Sequence, residues 1–134
     1  YGLEKDEFVL NGFLETWEEE GIVKLIMYAP HQTIPDRAAE KTLAWIHLVN
    51  ADLTIGHLVM VEEAKRKYLR YYIGLDVEDA AFEPQHITNM LRAVEAILGS
   101  RLRQLVALCE NNLSPEEAME YWPDTVEQSQ DCFQ

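Results

Sequence analysis

The segment from residue 36 to residue 76 constrains the fold more than any other part of the chain, because it predicts a helix followed directly by a β-hairpin. Asp36 precedes two alanines and is placed to accept hydrogen bonds from the free N–H groups of a first helical turn. Residues 43–49 are apolar at nearly every position, which is also typical of a buried strand. The predicted cap and the alanines favour a helix. Asn50 would end it, because asparagine tolerates the left-handed backbone conformation.

Beyond Gly56 the apolar residues change from helical to alternating spacing. Residues 57–61 are rich in strand formers, and residues 68–75 alternate. One face of the second strand is apolar: Leu69, Tyr71, Ile73 and Leu75. The other face is mixed: Tyr68, Arg70 and Tyr72. Because residues 62–67 are too few and too charged for a crossover, the strands should pair antiparallel as a hairpin with acid and base paired across it.

The flanking segments predict a second hairpin and two further helices. Residues 8–17 and 22–29 read as strands joined by an acidic turn that ends at Gly21, with Pro30 and Pro35 stopping the second strand. From Pro84 to Cys109, apolar residues recur at helical spacing and predict a helix of about 25 residues, with a possible bend at 99–100 and an end at 111–112. Ser114 then predicts a capped short helix, with Pro115 at its first position and Glu117 closing a capping box.

This order predicts an α+β fold of two layers, an antiparallel four-stranded sheet with helices packed on one face, in the order ββαββα. Residues 1–122 are expected to form a single domain and residues 123–134 a polar C-terminal tail. Neither a membrane span nor a signal peptide is predicted. Cys109 and Cys132 lack metal or redox spacing, which indicates reduced thiols and a cytoplasmic location.

Several segments resemble the YbjN-like family, particularly its cyanobacterial branch, in their order and spacing. They are the run from Asn50 to Gly56, Arg70-Tyr71, Asp76, and Ser114-Pro115 with the residues up to Ala118. The resemblance spans about Pro35 to Tyr121. It implies a type III secretion chaperone-like fold and a regulatory part in sensory transduction or stress response. The family usually turns its second hairpin with Asp-Gly, which is absent here, so a longer hairpin tip is expected.

The charge distribution disfavours nucleic acid and membranes as partners. The net charge is −13, with seven acids against Lys5 alone up to residue 22, and seven acids without any Lys or Arg beyond Arg103. An acidic surface repels phosphate backbones and anionic lipids.

No group of residues commits the chain to a chemistry. The histidines lack the i, i+4 spacing of a helical metal pair: His31, His47, His57 and His86. The acids after the second hairpin lack the glycine and alternating ligands of a calcium loop: Asp76, Glu78, Asp79 and Glu83. Phosphate-binding glycine loops and nucleophile elbows are also missing. We therefore expect no metal ion, no cofactor and no enzymatic activity.

Two classes of function remain. The first is a chaperone- or adaptor-like interaction module that forms a homodimer and holds an unknown protein partner, with Tyr68, Arg70 and Tyr72 as candidate binding residues. The plainer interpretation of those three side chains is that they pack only against their own sheet. The second class is a small-molecule sensor or enzyme with a pocket between helices and sheet. Five residues are interpreted as structural: Asn50, Gly56, Asp76, Ser114 and Pro115.

Overall fold

Four strands form one antiparallel sheet, and a separate pair of short strands precedes them in the chain. The computed structural model describes residues 2–3, 8–17, 21–76 and 84–122. The strands are β1 (Gly2–Leu3), β2 (Phe8–Val9), β3 (Asn11–Trp17), β4 (Ile22–Thr33), β5 (His57–Glu63) and β6 (Arg66–Asp76). The order in the four-stranded sheet is β3-β4-β6-β5, and β1 pairs with β2. The helices are α1 (Ala39–Asp52), α2 (Pro84–Glu110) and α3 (Pro115–Met119), with a 3-10 turn, Asp36–Ala38, before α1.

The core lies between one face of the sheet, here called the helix face, and the helices. From β4 and β6 it takes alternate residues: Leu25, Met27, Leu69, Tyr71 and Ile73. From α1 and α2 it takes one stripe each, including Trp45, Val49, Leu98 and Leu102. Burying an aliphatic or aromatic side chain of this size contributes about 1.5–3 kcal/mol. The predicted two-layer α+β fold, with a four-stranded antiparallel sheet, is confirmed.

Strand β4 is longer than predicted, because Pro30 does not stop it and the strand continues to Thr33. Pairing with β3 ends at Tyr28, and the register with β6 shifts between Tyr28 and Thr33. Proline is tolerated at such an irregularity, where its missing N–H breaks no ladder bond. The Pro30 carbonyl still accepts a hydrogen bond from the Arg66 guanidinium at 2.9 Å.

The prediction that Asp36 caps helix α1 is wrong. Asp36 lies inside the 3-10 turn, and α1 begins only at Ala39, without a side-chain cap. The Asp36 carboxylate instead accepts a hydrogen bond from Lys67 Nζ at 2.5 Å. This pairing lowers the pKa of Asp36 and raises that of Lys67.

Asn50 does not end helix α1, which continues to Asp52. Its side-chain oxygen accepts a hydrogen bond from the Leu58 N–H at 2.7 Å, and its amide donates to the Leu58 carbonyl at 3.0 Å. The side chain therefore completes the backbone pairing of the first part of β5 from within the helix. Gly56, which precedes that strand, has a φ of +73° and lies against Tyr71.

The tip of the second hairpin is a tight two-residue turn, so the expected longer tip is wrong. Ala64 and Lys65 have φ angles of 51° and 64°, the left-handed values typical of a type I′ turn. Glu63 and Arg66 on either side pair within the ladder. Two non-glycine residues thus occupy positions where Asp-Gly or Asn-Gly is usual. The predicted pairing of acid and base across the hairpin is confirmed by Glu62 and Lys67, whose charged atoms lie 4.0 Å apart.

The C-terminal part of the described chain follows its sequence signals closely. Helix α2 runs through residues 99–100 without interruption, and Asn112 has a left-handed φ of 52° after its end. The Ser114 side chain accepts a hydrogen bond from the Glu117 N–H, and the Glu117 carboxylate accepts one from the Ser114 N–H. This predicted capping box lowers the pKa of Glu117. Asp76 is the last residue of β6 and pairs with Ile22.

A buried polar network, which the sequence did not predict, attaches α3 to the other helices. Arg101 donates to Gln104 and to the Asp52 carboxylate, each at 3.0 Å. Gln104 also accepts a hydrogen bond from the Trp45 indole at 3.3 Å and donates to the Met119 carbonyl at 3.2 Å. Because Arg101 and Gln104 are buried, their polar groups depend on these partners for hydrogen bonds, whereas the Asp52 carboxylate is exposed.

Some predictions fall outside the described residues: the turn at 18–20, the acids Glu78, Asp79 and Glu83, the tail 123–134 and Cys132. The domain boundary at residue 122 stays a prediction for the same reason. Across the ranges that the structure describes, no helix combines the length and apolar character needed to cross a membrane.

Candidate functional site

The candidate site is the face of the sheet opposite the helices, here called the open face. The core cluster that includes the helices takes its sheet residues from the helix face and none from the open face, where Ile26 is nevertheless only 4% exposed. The strand register places open-face side chains in rows across β3, β4, β6 and β5. One row is Phe13, Ile26, Tyr72 and His57. The next is Asn11, Tyr28, Arg70 and Val59.

Arg70 occupies the centre of the open face. Its Nη2 donates to the Glu63 carboxylate at 2.8 Å and to the Tyr68 hydroxyl at 2.9 Å, and its Nη1 donates to the Tyr72 hydroxyl at 3.3 Å. The guanidinium carbon also lies 5.5 Å and 5.6 Å from the ring centroids of Tyr68 and Tyr28, within cation–π range. The hydrogen bonds to Tyr72 and Tyr68 raise the pKa of Arg70. A permanent, well-positioned charge therefore sits among three tyrosines.

Tyr68 is largely a supporting residue of this cluster. The residue is 5% exposed, and its ring lies 5.4 Å from the ring of Tyr28 at an angle of 40°. Burial raises the pKa of Tyr68. Tyr68, Arg70 and Tyr72 are thus brought together as the alternation predicted, but Tyr68 positions Arg70 and offers little surface of its own.

Tyr72 is half-buried, and neighbours from the other strands surround its ring. The His57 imidazole from β5 stacks on it, with centroids 5.5 Å apart and planes 14° from parallel. The Lys24 ammonium from β4 lies 4.8 Å from the centre of the ring. Sequence reasoning missed Lys24, Tyr28 and His57 as members of this surface. The alternation of polar and apolar residues in β4 could have placed Lys24 and Tyr28 on one face, but only the strand order brings them to Arg70.

Comparisons with known proteins bear on the fold. The chain matches no family model, and a search of curated proteins finds no match. Among solved structures, it is similar to YbjN from E. coli, with a TM-score of 0.57 and 14% sequence identity over 76% of this chain and 70% of that one. The fold is YbjN-like. At this identity the likeness concerns the fold alone, so membership of a cyanobacterial branch stays a prediction.

Tyrosine and arginine form the centre of the open face in this YbjN-like fold. Tyrosine, tryptophan and arginine are enriched at protein interfaces because they combine large contact area with polar groups. The guanidinium and hydroxyl groups of Arg70, Tyr68 and Tyr72 bond to each other, an arrangement that holds a surface rigid. Within the described residues, no group of three potential metal ligands comes together.

In the described part of the chain, clefts also lie away from the open face of the YbjN-like fold. One, of about 190 Å³, lies between the end of β4 and helix α2 and is lined by Thr33, Arg37, Leu105 and Cys109 among others. The Arg37 guanidinium there donates to the Cys109 carbonyl at 3.0 Å, and burial raises the pKa of the Cys109 thiol. Another, of about 420 Å³, lies between α1 and α3 and is widely open. Small-molecule pockets usually enclose about 300–1,000 Å³, so the cleft between helix and sheet is small for a ligand site.

Proposed function

We propose that this protein is a non-enzymatic interaction module, chaperone- or adaptor-like, that binds a segment of another protein on the open face. The observation that carries the proposal is an ordered cluster of aromatic rings around Arg70 on the sheet face that contributes no residue to the core shared with the helices. Phe13, on the same face, is 43% exposed. Large aromatic side chains held in fixed positions offer contact area at low entropic cost, which is why they dominate binding energy at interfaces.

The proposed partner is a protein with basic residues around an apolar anchor. The chain carries a net charge of −13, and complementary charge speeds encounter while the buried anchor supplies most of the affinity. Nucleic acid and anionic membranes are disfavoured as direct partners by the same charge. YbjN from E. coli is a proposed transcription regulator, and this supports a regulatory role exerted through protein contacts. We place the module in the cytoplasm, in sensory transduction or stress response.

We further propose that the protein acts as a homodimer held by apolar contacts. Both ends of the sequence are rich in acids, so two copies repel each other electrostatically at close range. Light scattering should therefore show a dimer that persists or tightens as the salt concentration rises. A monomer at both low and high salt would contradict this proposal.

The binding face is tested by affinity capture from a native lysate with a double substitution, Tyr72→Ser and His57→Ser. Both side chains reach the surface of the open face and stack on each other. We expect at least a tenfold loss of partner affinity, about 1.4 kcal/mol. Substituting Tyr68 is less informative, because a residue that is 5% exposed also contributes to stability.

The matched control is Leu43→Ser, which removes an apolar side chain that is 52% exposed on helix α1. Proteins that remain bound to the control but are lost from the double variant, while the two variants unfold at similar temperatures, would support the open face. Identical sets of captured proteins from both variants would refute it. Under the alternative function, a small-molecule sensor, a ligand in the cleft at Arg37 would raise the melting temperature, and Arg37→Ala would abolish that rise.

A further inference from the structure

Strand β3 is an edge of the sheet that lacks three of the features by which proteins usually protect an edge: proline, lysine or arginine, and a bulge. Its seven residues, from Asn11 to Trp17, pair with β4 without a register shift, and none of them is Pro, Lys or Arg. Within the described residues, no strand pairs along its outer side. A regular edge strand with unpaired N–H and C=O groups along its outer side is a ready template for pairing with another chain.

Both faces of this edge expose apolar side chains. Phe13, on the open face, is 43% exposed, and Leu14, on the helix face, is 39% exposed. Leu14 pairs with Leu25, which is fully in the core, so the sheet is covered by helices at β4 but not at its β3 margin. An added strand beside β3 would cover Phe13 and Leu14 together, whereas a helix on either face would cover one of them.

We propose that β3 pairs antiparallel with β3 of a second copy of this chain, about a two-fold axis that passes beside Phe13. The inference rests on the proposed homodimer and specifies its interface. Two copies of one strand that pair antiparallel in a single sheet are related by a two-fold axis perpendicular to that sheet. The axis keeps each face of the sheet on its own side, so each residue lies opposite a residue of the same face in the second copy, and the residue at the axis lies opposite its own equivalent. The axis must then lie at one residue of β3, and Phe13 and Leu14 are the central candidates.

The charge and size of the side chains favour the axis at Phe13. Phe13 then lies opposite Phe13 of the second copy, an aromatic cross-strand pair, and Glu15 lies opposite Asn11. Leu14 lies opposite Gly12, which has no side chain and leaves room for it. With the axis at Leu14, the two Glu15 carboxylates would instead be diagonal neighbours at about 7–8 Å and would repel each other. This self-complementarity is our reason for choosing a second copy as the occupant rather than an unrelated strand.

The start of β3 sets the length of the intermolecular ladder. With the axis at Phe13, Asn11 lies opposite Glu15 of the second copy, so the new ladder spans residues 11–15. It joins two four-stranded sheets into one continuous sheet. Because the axis is perpendicular to that sheet, both open faces point to the same side, and a partner with two binding segments could occupy both at once.

Two pairs of variants of the full chain test the interface. Phe13→Lys places two positive charges at the axis and should weaken dimerisation at least tenfold by sedimentation, whereas Leu43→Lys, on an equally exposed apolar residue, should leave it unchanged. In a background with Cys109→Ser and Cys132→Ser, Phe13→Cys should form a disulfide-linked dimer on oxidation with diamide, because paired residues bring their Cβ atoms within about 4.5–5.5 Å. Thr16→Cys, on the same strand but far from its equivalent, should not.

A monomeric wild type, a dimer that Phe13→Lys does not weaken, or a dimer that is linked through Thr16→Cys but not Phe13→Cys would each overturn the inference. The outcome of this test of the β3 interface can be told apart from the outcome of the capture test of the open face. Tyr72→Ser with His57→Ser should lose the captured partner and keep the dimer. If that variant keeps its partner while Phe13→Lys loses the dimer, the proposed binding face fails and the β3 interface stands.

Discussion

Gly56 is the position where a single added methyl group should damage this fold most clearly. Its φ of +73° lies in the left-handed region, which costs a residue with a Cβ about 1–2 kcal/mol. A Cβ at this position would lie 2.6 Å from Tyr71 Cζ, from the Tyr71 hydroxyl oxygen and from the Tyr72 carbonyl oxygen. The last of these is backbone in the middle of β6, so relief requires the segment before β5 to move.

That movement would break a specific hydrogen bond. The Tyr71 hydroxyl donates to the carbonyl of Ile55, the residue before Gly56. Losing such a bond costs about 0.5–1.5 kcal/mol, and the lower entropy of the unfolded alanine chain returns about 0.4–1 kcal/mol. With the steric overlap between the added Cβ and its three neighbouring atoms included, we expect Gly56→Ala to lower the free energy of unfolding by about 2–3 kcal/mol. For a chain of this length that corresponds to roughly 10 °C in melting temperature.

The assay is urea and thermal unfolding followed by circular dichroism, with Gly74→Ala as the matched control. Gly74 lies in β6, and nothing lies within 4 Å of a Cβ added there. The control should change the free energy of unfolding by less than about 0.5 kcal/mol. If Gly56→Ala is as stable as wild type, or if both variants lose the same stability, the steric reasoning is wrong.

Three further predictions concern side chains that bond to the backbone or to each other. Asn50→Ala leaves the Leu58 N–H and carbonyl without partners and should cost about 1–3 kcal/mol in urea unfolding, whereas a neutral result would show that water replaces the amide. Ser114→Ala removes the cap of α3 and should lower the free energy of unfolding by about 1 kcal/mol. Because the pKa of Glu117 is lowered in the folded state, its carboxylate stabilises the fold above the pKa of the unfolded chain, about 4, and this stabilisation is lost as the pH falls further. Glu117→Gln should therefore lessen the loss of stability in acid. Burial raises the pKa of Tyr71 in the folded state, so the free energy of unfolding should fall as the pH rises above about 10, where Tyr71 of the unfolded chain ionises first. Tyr71→Phe should make this decrease smaller. An unchanged dependence of stability on alkaline pH would exclude Tyr71 as its cause.

The sequence determined those features whose physical cause lies within a few residues. The alternation in β6 assigned Tyr71 to the core and Arg70 to the other face, because successive side chains of a strand point to opposite sides. The helical spacing of α2 needed no knowledge of its partners. The Ser114 capping box was predictable because both of its hydrogen bonds join residues three positions apart.

Tertiary structure decided what depends on the register between distant segments. Asp36 had the sequence of a helix cap, but Lys67, thirty-one positions away, binds its carboxylate. Asn50 looked like a helix end, but a strand placed beside α1 offers it the two backbone groups of Leu58. Lys24 and His57 reach Tyr72 only because β6 lies between β4 and β5. Local spacing fixes which face a side chain occupies, whereas its neighbours across the sheet follow from strand order, which arises from the packing of the whole chain.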